Sequence, residues 1–142
     1  MTRVLLDTSG YSALFRGHAE IQREIQEAEE VFINPIVLGE LKAGFRRGRR
    51  RSNNERKLTD LLASPRMRVV PIDEDTSEHY AVILNSLRAA GTPIPSNDVW
   101  IASTAMQHGL PVVTTDEHYS RVPQILVVRF DTAAQGPPKT GA

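Results

Sequence analysis

The chain has 142 residues, 40% of them apolar and 24% charged, with 17 basic side chains balancing 17 acidic ones. That is the length and composition of one globular domain, and the balanced charge gives no general pull toward nucleic acid. It contains no cysteine, which excludes disulfides and thiolate metal sites and leaves a reducing cytoplasm as the expected compartment. No apolar run approaches the ~20 residues a bilayer requires, and nothing near Met1 resembles a signal peptide.

The elements alternate between short apolar runs and helical patterns. Val4-Leu5-Leu6 reads as a buried strand ending at Asp7, and Ile21, Ile25 and Ala28 recur at helical spacing. Val31-Phe32-Ile33 is a second strand. Asn34-Pro35 then opens a helix, with Asn as N-cap and Pro at the first helical position. Val37, Leu38, Leu41 and Phe45 form its apolar side, and Gly48 is placed to end it. Leu58, Leu61 and Leu62 suggest another helix, and Arg68-Val69-Val70 a third strand. Tyr80, Ile83, Leu84 and Leu87 form a helical stripe closed near Gly91.

After the rigid Thr92-Pro93-Ile94-Pro95 loop, Ser96 or Asn97 can cap a helix running to about His108. Its residues Val99, Trp100, Ile101, Ala102, Ala105 and Met106 are apolar nearly all round, as in a buried helix, and Gly109 ends it. Residues 111–114 and Leu126-Val127-Val128 supply two further strands. Unalternated apolar strands interleaved with helices predict an α/β/α sandwich around a parallel sheet of four to five strands. Residues 1–132 form the predicted domain. The Pro/Gly-rich segment 133–142 (AAQGPPKTGA) reads as a disordered tail.

In such sheets ligands sit beyond the carboxyl ends of the strands. Asp7 follows the first strand there, and Asp116 follows the fourth. Asp98 starts the buried helix, and Glu40 lies one position off the apolar stripe of its helix. Two carboxylates ~6 Å apart repel by about 3 kcal/mol at an effective dielectric of ~20. Six such pairs approach ~15 kcal/mol, as much as a whole domain's stability. A shared pocket therefore needs a cation or shifted pKa values, and oxygen donors without cysteine favour Mg²⁺ or Mn²⁺ over zinc. Each acid also has an ordinary structural role open to it. Asp7 can cap a following helix, Asp98 can complement a helix N-terminus, Asp116 can hold a turn, and Glu40 can be a solvated helix charge.

Taken together, VLLDTSGYSALF (residues 4–15), INPIVLGEL (33–41) and PIPSNDVWIASTAMQHGLPVVTTDEHYSRVP (93–123) resemble the PIN-domain family, and within it the VapC toxins, in order and spacing. The resemblance implies a metal-dependent endoribonuclease, the toxin half of a VapBC-like toxin–antitoxin pair. It would hydrolyse RNA by metal-activated water, leaving a 5′-phosphate and a 3′-hydroxyl. Carried over by position, Asp7, Glu40, Asp98 and Asp116 match the acidic metal site, while Ser9 and Thr114 match hydroxyls that orient acids, waters or metal. Without the resemblance, Ser9 reads as a turn hydroxyl and Thr114 as a strand residue. The resemblance also implies a VapB-like antitoxin partner and a homodimer. Pro35 stands where Ser or Thr is frequent, Tyr119 replaces a common Phe, and Gln124-Ile125 replaces a frequent Gly-Leu. These read as packing or loop positions.

Phosphate repels a carboxylate cluster, so a basic rim is needed. The run Arg46, Arg47, Arg49, Arg50 and Arg51 is the candidate for RNA backbone contact, against the plainer role of a solvated helix end. His18, His79, His108 and His118 show no paired metal-ligand spacing and read as surface or core residues. Trp100 reads as core. Rival readings are a non-catalytic PIN-like binding module, a haloacid-dehalogenase-like phosphatase and a response-regulator receiver. The phosphatase needs an Asp where Ser9 stands. The receiver needs an early acidic pair and a late Lys, and neither is present. A P-loop enzyme is excluded by the lack of GxxxxGK[ST].

Overall fold

A computed structural model describes residues 2–132, so the tail expected at 133–142 lies outside the described residues. The chain runs β1 (Arg3–Leu6), α1 (Thr8–Phe15), α2 (Ala19–Glu27), β2 (Glu30–Ile33), α3 (Pro35–Arg47), α4 (Arg51–Leu62), β3 (Met67–Val69), α5 (Glu74–Ala90), α6 (Ser96–His108), β4 (Val112–Thr114), a 3-10 turn (Glu117–Arg121) and β5 (Val127–Arg129). The five strands form one parallel sheet in the order β3-β2-β1-β4-β5. This is the α/β architecture the alternating pattern predicts. The chain winds outward through β2 and β3 on one side of β1 and through β4 and β5 on the other, so right-handed crossovers place helices on both faces. The switch point lies between β1 and β4, and the crevice at their carboxyl ends is where such sheets take a ligand.

The unalternated strands β1 and β4 are buried on both faces: Val4, Leu5, Leu6, Val112 and Val113 are essentially inaccessible. Helix boundaries follow local chemistry. Asn34 caps α3 by accepting the Val37 amide at 3.0 Å, while its Nδ2 donates to the Thr104 hydroxyl at 3.0 Å, tying the start of α3 to α6. Gly48 is the C-cap of α3, and Gly91 and Gly109 end α5 and α6 in the left-handed region. Helix α6 buries Val99, Ile101, Ala102 and Ala105, and its buried Ser103 and Thr104 hydroxyls donate to carbonyls four residues back, so no polar cost is left unpaid there.

Besides one-residue shifts at the starts of β1, β2 and β4, three boundaries differ from expectation. Strands β3 and β5 are displaced by one residue, because Met67 and Arg129 enter the ladders opposite Val31 and Thr114. The N-cap of α6 is Pro95, with no side-chain cap. Pro95 supplies the extended backbone before the helix, and Ser96 and Asn97 already lie inside it. Within the α5 stripe, Ile83 and Leu87 are core residues, whereas Val82, between them and Tyr80, is 49% exposed. Trp100 is half-buried and stacks on Tyr80 with centroids 4.1 Å apart, so it is occupied by packing. Among the described residues, no helix is long and apolar enough to cross a membrane.

Candidate metal centre

Strand β1 ends by delivering Asp7 directly into the first turn of α1. Its carboxylate caps that helix, with Oδ1 accepting the Gly10 amide at 2.7 Å. Gly10 is required there: a Cβ would lie 2.5 Å from the Val113 carbonyl oxygen and 2.8 Å from Leu6 Cδ1. The missing side chain lets α1 dock on the ends of β1 and β4. Thr114, the last residue of β4, donates its hydroxyl to Asp7 Oδ2 at 2.7 Å. Ser9 reaches both Asp7 oxygens at 3.1 and 3.0 Å and accepts the Thr115 amide at 3.1 Å. Asp7 is thus 2% exposed yet held by three donors. Burial outweighs those bonds and pushes its pKa from 3.8 to about 6, with nearby Asp116 adding to the rise.

Asp116 leaves β4 two residues after Thr114, whose hydroxyl accepts the Asp116 amide at 2.8 Å. Its carboxylate caps the 3-10 turn through the His118 amide at 2.9 Å. Asp98 sits in the first turn of α6, half-buried, and accepts the Tyr119 hydroxyl at 3.3 Å. Burial raises the Asp98 pKa, and the Asp116 charge contributes to the rise. The Tyr119 hydroxyl is driven strongly upward by burial and by the charges of Asp7, Asp98 and Asp116. It therefore stays a donor. Tyr119 is more than the packing residue its sequence position suggests.

His118 joins this group, contrary to the surface or core role read from spacing. Its Nδ1 lies 3.0 Å from Asp98 Oδ2 and 3.0 Å from Asp116 Oδ1. Donor atoms of Asp98, Asp116 and His118 all fall within 4.8 Å of one another. An octahedral ion with bonds of about 2.1 Å sets adjacent ligands ~3 Å apart. The clustered, oxygen-rich donor set fits a divalent cation.

Glu40 reaches the crevice from α3, where its Oε1 accepts the Thr8 hydroxyl at 2.6 Å and its Oε2 the Asn97 amide at 3.3 Å. Thr8 neighbours Asp7, and Asn97 neighbours Asp98. Glu40 is thereby tied to the segments that carry two of the other acids. Asp7 and Glu40 lie outside the three-residue donor group and flank it at the same crevice. Thr8, Asn97, His118 and Tyr119 were not singled out from sequence as parts of the site. Their proximity depends on contacts between segments far apart in the chain. The one available signal was position: each lies within three residues of a predicted acid.

The five arginines lie elsewhere. Arg46 and Arg47 form the last turn of α3, Arg49 and Arg50 the link, and Arg51 the start of α4, all exposed. Arg51 pairs with Glu55 at 2.9 Å. Lys42, Arg46 and Arg51 line a cleft of about 300 Å³ between α3 and α4. Arg46 lies six residues beyond Glu40, about 9 Å along the helix axis.

The PIN domain model matches residues 4–125. Ribonuclease VapC4 of Mycobacterium tuberculosis is 34% identical over 96 residues, 68% of this chain and 74% of that protein. VapC ribonuclease Y4jK of Sinorhizobium fredii is 32% identical over 123 residues, 80% of this chain and 86% of that protein. The crystal structure of DNA-bound VapBC from Salmonella typhimurium superposes with a TM-score of 0.80 at 25% identity, covering 91% of this chain and 98% of that one. With matches over this length and an acid-lined crevice at the switch point of its parallel sheet, the chain belongs to the PIN-domain family.

Proposed function

We propose that this protein is a divalent-metal-dependent endoribonuclease, the toxin of a VapBC-type toxin–antitoxin module acting in the cytoplasm. The observation that carries the reading is the convergence of Asp98 and Asp116 beside buried Asp7 at the carboxyl ends of β1 and β4. Similarity to proteins named VapC ribonucleases supports the same activity.

The ion would be Mg²⁺ or Mn²⁺, held by Asp98 and Asp116 with Asp7 and Glu40 flanking it. When bound, such an ion activates water and offsets charge building on the phosphodiester. The chain's own residues prepare the place. Ser9 reaches both oxygens of Asp7 and Thr114 holds Oδ2, and Tyr119 fixes one oxygen of Asp98. Thr8 and Asn97 hold Glu40 at the rim. Preset carboxylates reduce the reorganisation needed when the cation, and with it the substrate, is bound. The arginines between α3 and α4 would hold the RNA backbone beyond Glu40.

The expected partner is a VapB-like antitoxin. A second cleft, of about 270 Å³ between α1, α3 and α4, has Tyr11, Phe15 and Phe45 on its apolar side and Arg16, Arg50 and Lys57 as its basic groups. It suits a segment carrying both apolar and acidic side chains. A homodimer is proposed from the family resemblance, with the exposed Val82 face of α5 available to it.

The decisive experiment is RNA cleavage by the wild type and by Asp7→Asn, with Mg²⁺ or Mn²⁺ and with EDTA. Cleavage should require the ion and should fall by orders of magnitude in the variant. A folded Asp7→Asn protein that cleaves at full rate would overturn the proposal.

A further inference from the structure

The position of His118 follows from its local backbone. Asp116 opens the 3-10 turn by accepting the His118 amide, which folds the imidazole back over its own capping residue. Asp98 comes from a different element and is steadied from its other oxygen by the Tyr119 hydroxyl. Asp98 and Asp116 are thus anchored by separate contacts, and an oxygen of each still meets Nδ1 of His118. The three donor atoms cluster within 4.8 Å of one another, and one oxygen of each carboxylate lies 3.0 Å from the imidazole Nδ1.

That separation matches two adjacent vertices of an octahedron with ~2.1 Å bonds. The His118 side chain is 33% exposed and that of Asp98 13%, so the meeting point is reachable from solvent on the histidine side. A charged pair of acids alone would take any hard divalent ion. A nitrogen donor changes the choice, because Mg²⁺ prefers oxygen and sheds water reluctantly, whereas first-row transition ions accept imidazole readily.

We infer that Nδ1 of His118 is a ligand of the catalytic ion, alongside Asp98 and Asp116, and that it makes this site select Mn²⁺ over Mg²⁺. The inference rests on the metal-dependent nuclease reading and adds to it a nitrogen ligand and a metal preference. His118→Asn is the informative variant, since its amide oxygen falls near the place of Nδ1 and replaces a nitrogen donor with a hard oxygen. The residue lies on a partly exposed turn, so the fold tolerates the change.

The test uses the full chain and two readouts that do not involve activity. Mn²⁺ and Mg²⁺ affinities are measured by calorimetric titration for wild type, His118→Asn and Asp98→Asn. Electron spin-echo modulation is recorded on the Mn²⁺-loaded wild type and His118→Asn proteins. The wild type should bind Mn²⁺ at least tenfold more tightly than Mg²⁺ and show imidazole ¹⁴N modulation. His118→Asn should lose the modulation and most of the Mn²⁺ advantage while keeping its Mg²⁺ affinity. Tight Mn²⁺ binding without imidazole modulation, with the same Mn²⁺/Mg²⁺ ratio in both proteins, would overturn the role of His118 and leave the acidic site intact. Failure of the wild type to bind either ion more tightly than Asp98→Asn would remove the metal reading as well.

Discussion

The hydroxyl of Thr114 donates to Oδ2 of Asp7 at 2.7 Å, joining the carboxyl ends of β4 and β1 by one side-chain hydrogen bond. The Thr114 hydroxyl oxygen in turn accepts the Asp116 amide at 2.8 Å, so one buried hydroxyl sets the positions of two acids. Replacing Thr114 with Val keeps the shape and removes both bonds. A buried group left without its partner costs about 1–3 kcal/mol. Thr114→Val should lower stability by that order and reduce kcat by tenfold or more, whereas Thr114→Ser should restore most of both. Urea unfolding and single-turnover cleavage measure the two effects. Full activity in the Val variant would show that the hydroxyl does not position the acids.

Asp7 carries the electrostatic strain of the site. Burial raises its pKa from 3.8 to about 6 in the folded chain. Between those values the folded state holds a proton that the unfolded chain releases. Stability therefore falls as pH rises through the window, and the loss is complete above about pH 6. A displacement of about 2 pH units corresponds to ~3 kcal/mol. In EDTA, Asp7→Asn should be more stable relative to wild type at pH 8 than at pH 5, by about half that amount, because pH 5 already lies inside the window. Any constant loss from altered hydrogen bonds with Ser9 and Thr114 cancels in the comparison. Denaturant midpoints at the two pH values give the result, and a wild-type-minus-variant difference independent of pH would contradict it.

Much of this arrangement could be read before the structure, and the pattern of success has a physical cause. Asn34, Pro35, Gly48, Gly91 and Gly109 mark helix ends through capping and left-handed backbone, which are local properties. The acids Asp7, Asp98 and Asp116 were visible as following strands or opening a helix. The structure gives two of them capping roles at the crevice, since Asp7 caps α1 and Asp116 caps the 3-10 turn. The strand edges at Met67 and Arg129 were missed because a short apolar run permits several registers, and partner strands choose among them. His118 was missed because its partners, Asp98 and Asp116, come from two different elements and neither is a second histidine. The Tyr119 hydroxyl looked like a packing substitution until its acceptor was located 21 residues away in the chain.

Gly10 is a sharper case of the same dependence on tertiary contact. Its Cβ position would meet the Val113 carbonyl oxygen at 2.5 Å and Asp7 Oδ1 at 3.0 Å. The first neighbour is strand backbone, which cannot swing aside as a flexible side chain can. Gly10→Ala should push α1 away from the sheet and loosen the amide that caps Asp7. Overpacking of this kind costs roughly 1–3 kcal/mol. The variant should lose stability on that scale, and its divalent-ion affinity should weaken as the crevice opens. Chemical denaturation and calorimetric ion titration test the two parts. An unchanged unfolding midpoint would mean that α1 is free to shift at no cost.

The arginines between α3 and α4 can be tested apart from chemistry by using the Asp7→Asn background, in which cleavage is expected to be lost. Each phosphate contact on a single strand contributes about 0.7 to the slope of log K against log salt. Arg51 already pairs with Glu55, an exposed bond worth well under 1 kcal/mol, so it remains available to a phosphate at little cost. Changing Arg46, Arg47, Arg49, Arg50 and Arg51 to Gln should weaken binding of an oligoribonucleotide and flatten that slope by about 2, the equivalent of roughly three phosphates. Fluorescence anisotropy across a salt series reads both. A weaker complex with the original slope would mean that the substitutions act through folding or packing, and the backbone contacts would then have to lie elsewhere on the surface.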